Sequence, residues 1–218
     1  MKKRISILID WENLRKEITH LQKRHIISQS DLNYNNVDQI YNLVSFLSEE
    51  ADIFRIFFYT SLPLTISEIQ EKLQNRRDID YSRYQQYYSL NRAKIDNLIS
   101  ITRQFFSEID KKPNVAVRYG NLQIKSQLND GNLTFVQKKV DMLIGLDTAH
   151  LSYNKIVDEI VFFCKDKDLS PAFKLARING LQVSIVDLGG INISDHIYRH
   201  IDKVYKINNF STFEYSLL

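Results

Sequence analysis

The 218 residues carry 29 Lys and Arg against 26 Asp and Glu, a formal net charge of +3, and 44% are hydrophobic. That is enough apolar material for one substantial core and cramped for two, and no Ser/Gly/Pro-rich stretch supplies a linker, so a single domain over 1–218 is expected. The lone Cys164 excludes an intramolecular disulfide, and no run approaches the roughly 20 apolar residues of a membrane helix.

The chain opens Met-Lys-Lys-Arg and enters an apolar run too short for a secretory core, which makes a reducing cytoplasm the expected compartment. That run, Ile5-Ser6-Ile7-Leu8-Ile9, is nearly continuous and β-branched, as for a parallel strand buried on both faces, and it stops at Asp10. Val37, Ile40, Val44 and Leu47 form one helical stripe, and Ile53 to Tyr59 reads as the next strand. From Pro63 to Lys112 the text is helical: a tyrosine-rich polar half precedes Ile95, Leu98, Ile99, Thr102, Phe105, Phe106 and Ile109 at helix spacing. Val115 to Tyr119 is a further strand. Leu122 to Leu128 and Leu133 to Gln137 flank Asn129-Asp130-Gly131-Asn132, a hairpin signal because the turn needs positive φ.

Lys139 to Tyr153 reads as a helix, and Ile160-Val161-Phe162-Phe163-Cys164 is the most apolar strand and the expected sheet centre. Ser170-Pro171 then starts a helix that closes at Asn179-Gly180, before a strand at Gln182 to Val186. The alternation predicts a three-layer α/β/α domain with a mainly parallel sheet, a helical insertion at about 61–112 and a β-hairpin at about 122–137.

In such sheets ligands bind outside the carboxyl ends of the strands. Asp10 and Asp166 both follow strands, Asp168 lies two residues on in the turn to a helix, and Asp141 sits in the first turn of the helix that feeds the central strand. Close carboxylates raise one another's pKa unless a cation compensates, and hard oxygen ligands suit Mg²⁺ or Mn²⁺. Each acid taken singly has an ordinary explanation as turn former, helix cap or dipole partner; only together do they point to metal-assisted phosphodiester hydrolysis.

Three segments resemble the NYN domains, relatives of PIN-like ribonucleases. Ile7-Leu8-Ile9-Asp10-Trp11-Glu12-Asn13 matches the family's strand ending in Asp-x-x-Asn. Lys138-Lys139-Val140-Asp141, with Asp147 six residues on, matches its Lys-Gly-Val-Asp helix start. Phe163-Cys164-Lys165-Asp166-Lys167-Asp168-Leu169 stands where the family shows Ser-Gly-Asp-Ser-Asp-Phe, and Asp202-Lys203-Val204-Tyr205 is a weaker match near the end. The likeness covers residues 4 to about 60 and 115 to about 207. It implies a PIN-like fold and an endoribonuclease in which Asp10, Asp141, Asp166 and Asp168 bind Mg²⁺ or Mn²⁺, with Asn13 positioning ligands or the scissile phosphate. Asp147, about 120° around the helix from Asp141, is expected behind the site. Lys139 and Lys165 replace family glycines, and Leu169 replaces a Phe.

Lys138, Lys139, Lys165 and Lys167 flank these acids and are candidate substrate contacts, as are Arg76, Arg77 and Arg83. The arginines interleave with Tyr81, Tyr84, Tyr87 and Tyr88, a composition that suits RNA, and alternatively DNA, or else a helix face that packs on another helix or a second copy. The main alternative function is a non-catalytic RNA-binding or regulatory module. A small-ester phosphatase ranks below both, because Asp10-Trp11-Glu12 lacks the second Asp of a haloacid-dehalogenase-type motif.

Overall fold

A computed structural model describes residues 2–74 and 76–218. Strand β1 (Lys3–Asp10) runs directly into helix α1 (Trp11–Lys23), for which Asp10 is the N-cap, its carboxylate accepting the Asn13 N–H at 3.1 Å. Helix α2 (Val37–Val44), capped by Asn36, leads to β2 (Ala51–Thr60). The insertion comprises α3 (Ile66–Leu73), opened by a Thr65/Glu68 capping box, and the 29-residue α4 (Tyr81–Ile109), which at 1.5 Å per residue is about 43 Å long. Then come β3 (Val115–Tyr119), the hairpin strands β4 (Asn121–Gln127) and β5 (Leu133–Lys138), and α5 (Val140–Tyr153). The rest is β6 (Glu159–Phe163), a 3₁₀ turn at Lys167–Leu169, α6 (Ser170–Ile178), β7 (Gln182–Asp187), the short α7 (Asp195–Tyr198), β8 (Lys203–Ile207) and β9 (Tyr215–Leu217).

The central sheet has seven strands in the order β3-β2-β1-β6-β7-β8-β9; all neighbours are parallel except β9, which pairs antiparallel with β8 at the edge. The fold is therefore α/β with a mainly parallel sheet, as expected, and the hairpin β4–β5 stands apart from it. Alternation along β1 divides the core: Ile5, Ile7 and Ile9 pack with α1, α2 and the end of α4, whereas Leu8 faces α5 and α6. A third cluster fastens the insertion to the hairpin through Ile69, Leu73, Ile79, Tyr84, Ile124 and Leu133. Tyr84 is buried there, between Tyr81 and Tyr88 at 6.5 and 6.3 Å. At least this tyrosine is spent on packing within the chain.

Topology decides where a site can form. Strands β2 and β3 are laid down on one side of β1, and β6, β7 and β8 on the other, so the direction of winding reverses between β1 and β6. In an open parallel sheet the crevice at that reversal, at the carboxyl ends of the strands, is where ligands bind. Asp10 ends β1 and Asp166 follows β6.

Candidate acidic site at the switch point

The register that pairs Ile9 with Phe163 brings the strand ends side by side, with Cys164 Sγ 3.9 Å from Asp10 Oδ2. Asp10 is buried, and its carboxyl is pushed up to about 6, first by that burial and then by the charges of Asp141, Glu12 and Asp166; the Asn13 N–H opposes the shift. Asp141, exposed in the first turn of α5, is also raised, by partial desolvation and by Asp166 and Asp168. Asp10 thus feels the charges of Asp141 and Asp166, and Asp141 those of Asp166 and Asp168.

Their present conformations do not make a ligand cage. Among the described residues, no three His, Cys, Asp or Glu side chains are arranged to hold a metal ion. Helix starts account for part of this: one oxygen of Asp10 is held by Asn13 N–H, and one of Asp166 by Asp168 N–H at 2.9 Å. By kind, the donor set nonetheless fits a hard divalent cation, being all carboxylate and carrying two raised acids.

Two features hold the acids in place. Gly120 lets the end of β3 approach the start of α5 so closely that an added Cβ would lie 2.7 Å from Lys138 O and 2.9 Å from Val140 Cγ2. On the other side, Asn13 Oδ1 accepts Lys165 N–H at 3.2 Å, tying α1 to the turn that carries Asp166. Asn13 therefore holds that turn through its side-chain oxygen.

Lys139 occupies the left-handed region at φ 73°, ψ −5°, which explains why a glycine would suit this position. Lys139→Gly is expected to stabilise the protein by about 0.5–1 kcal/mol, less than the full left-handed penalty because glycine loses more freedom on folding. A denaturant midpoint that falls would refute this reading of the turn.

Lys165 departs from expectation. Its ammonium does not face substrate: the side chain is buried, pairs with Glu17, lies 2.5 Å from Asp187 and donates to Ile191 O at 2.7 Å. Glu17, itself buried, also accepts the N–H groups of Leu188 and Gly190, each at 3.2 Å. Burial raises the Glu17 carboxyl, and Lys165 opposes that rise. A buried ammonium needs such partners.

Arg76 and Arg83 are likewise engaged in structure. Arg76 pairs with Asp78 at 2.6 Å and donates to Ile124 O at 3.0 Å, and Arg83 donates to Asn129 O in the hairpin turn, so both fasten insertion to hairpin. Arg77, Lys138 and Lys167 are exposed.

Asp147 accepts the Tyr59 hydroxyl at 2.9 Å and Arg118 Nε at 3.1 Å, clamping α5 to β2 and β3. Tyr59 is fully buried. Asp147→Ala is expected to cost about 1–3 kcal/mol, because a buried hydroxyl loses its acceptor, with turnover per folded molecule unchanged. Parallel thermal melts and activity assays test both halves. Cys164 is no nucleophile: burial and the Asp10 charge push its thiol well above the usual range.

No protein-family model and no curated protein sequence matches the chain. Among solved structures it is similar to a protein of unknown function, VPA0982, from Vibrio parahaemolyticus RIMD 2210633, at 15% identity over 100% of this chain and 97% of that one, with a TM-score of 0.51. That likeness is one of fold alone. A substrate complex of isopentenyl phosphate kinase aligns over 97% of this chain and 93% of that one at 13% identity, but its TM-score of 0.31 carries no weight.

Proposed function

We propose that the chain is a metal-dependent endoribonuclease whose site is Asp10, Asp141, Asp166 and Asp168. The observation that carries the reading is the meeting of two strand-end aspartates at the winding reversal of the sheet, with Asp10 held up to about 6 partly by its acidic neighbours. The resemblance of the three acid-bearing segments to NYN domains supports it. Mg²⁺ or Mn²⁺ bound there would activate water and neutralise charge building on a phosphodiester. The chain's own contribution is to hold the acids at one edge, with Asn13 and Gly120 fixing the turns that carry them. Lys138, Lys139 and Lys167, exposed near the acids, and the exposed Arg77 are the candidate basic residues left for phosphate contact once Lys165 is committed to the interior.

Among the described residues no helix is long and apolar enough to cross a membrane. A buried, unpaired Cys164 suits a reducing cytoplasm.

A second reading, an RNA-binding module without turnover, draws on the lack of three side chains in metal-holding geometry among the described residues. The two separate on incubation with single-stranded and structured RNA in Mn²⁺, Mg²⁺ or EDTA, beside Asp141→Asn. Cleavage lost in EDTA and in the variant supports the nuclease. Salt-sensitive binding without products supports the module. Cleavage that survives both treatments contradicts the mechanism.

A further inference from the structure

Along the same strand-end edge lies a cavity of about 420 Å³ that the proposed chemistry leaves unused, within the roughly 300–1,000 Å³ of small-molecule sites. It begins at Trp11, the residue after Asp10, whose ring stacks on Phe105 with centroids 4.7 Å apart. One wall is an uncovered part of α4: Leu98 and Ile101 line the cavity although they are 63% and 36% exposed. This part of the apolar stripe of α4 packs on no core. Thr60 and Ser61, at the end of β2, line it too, and Ser61 Oγ is buried with no hydrogen-bond partner among the described residues. The charged lining is Arg15, the Glu12 carboxylate that pairs with its guanidinium, and Lys94, exposed and without an ion pair among the described residues; Asn35, Asn97 and Gln137 add neutral polar groups.

An apolar slot with an aromatic side, amide groups at its rim and one cation free of an ion pair suits a flat ring with a polar edge joined to a phosphate. Splayed bases of single strands are recognised in this way, by stacking and by hydrogen bonds to base edges. The cavity also adjoins the acids through the chain itself, because Trp11 follows Asp10, and Ser61 follows the strand that pairs with β1. We propose that it holds one unstacked nucleobase of the RNA strand whose phosphodiester lies at the acidic edge, with the base against the apolar wall of Leu98 and Ile101 and Lys94 toward the phosphate. The proposal rests on the ribonuclease reading and deepens it: the insertion becomes a base-holding element.

Trp11 is the only tryptophan, so its emission reports on this cavity directly. The test titrates nucleoside 5′-monophosphates and, separately, ribose 5-phosphate into the protein in EDTA, where no metal-dependent cleavage occurs. A saturable change with the base-carrying ligands, half-complete at about 1 mM or tighter and absent with ribose 5-phosphate, is expected. Leu98→Glu, an exposed position that folding tolerates, should weaken it at least about tenfold. Asp141→Asn should bind as the wild type does, and the two readings separate on the wild type: nucleotide binding by a wild-type protein that cuts no RNA leaves the cavity standing and sinks the nuclease. RNA cleavage with no emission change, an equal response to ribose 5-phosphate, or wild-type binding by Leu98→Glu overturns the base-holding cavity.

Discussion

Asp10→Asn is expected to lower RNA cleavage on the order of 10²–10³-fold and, at the same time, to stabilise the metal-free protein at neutral pH. Both effects come from one carboxyl. Burial and the charges of Asp141, Glu12 and Asp166 raise it from 3.8 to about 6, so its ionised form is disfavoured by about 3 kcal/mol. Below the unfolded value both states are protonated and nothing is lost. As pH rises from about 4 to about 6 the unfolded chain ionises while the folded one resists, so stability falls, and above about 6 the full penalty stands. Asn carries no charge and caps a helix as well as Asp does, so α1 keeps its N-cap. In EDTA, wild type and variant should have equal stability near pH 4 and diverge by up to about 3 kcal/mol in favour of the variant near pH 7. A variant less stable than wild type at both values, or one that still cuts, would remove Asp10 from the centre of the site.

Lys165→Gly is expected to destabilise the protein by about 3–5 kcal/mol, although glycine is the residue the family resemblance would place there. The loss has little to do with backbone freedom. Removing the ammonium leaves Glu17 and Asp187 together, Glu17 buried and 5% exposed in its side chain, without their shared cation. The N–H groups of Leu188 and Gly190 still reach Glu17, which places the cost toward the lower end of the range. Lys165→Met with Glu17→Gln should recover much of the stability, since it removes the buried charge and keeps the volume. Urea denaturation of the single and double variants decides the matter. A single variant as stable as wild type would mean the pair contributes nothing.

Much of the fold could be read from pattern, because buried parallel strands announce themselves as β-branched runs and the hairpin by its Asp130-Gly131 turn. Helix α1 is legible in Leu14, Ile18 and Leu21 behind an Asp N-cap, Asp10 serving both as the end of β1 and as that cap. The short antiparallel edge strand β9 carries no such pattern in its three residues. Strand-end position puts Asp10 and Asp166 at the carboxyl edge of the sheet, whereas the fate of the basic residues was invisible. Lys165 is decided by Glu17, 148 positions away, and by Asp187, 22 away. Arg76 and Arg83 are decided by hairpin carbonyls nearly 50 positions on. Local spacing holds no information about such partners. It holds none about side-chain rotation either, and among the described residues no three acid side chains stand in a metal-holding arrangement.

The decisive property is whether these aspartates act as one metal-holding group. Titrating Mn²⁺ into the protein without nucleic acid, with unbound ion followed by electron paramagnetic resonance, tests that directly in wild type, Asp10→Asn, Asp141→Asn and Asp147→Ala. Wild type and Asp147→Ala should bind alike, and each of the other two should bind at least about tenfold more weakly. Equal Mn²⁺ affinity in all four proteins, or no binding by the wild type, would contradict the shared acidic site.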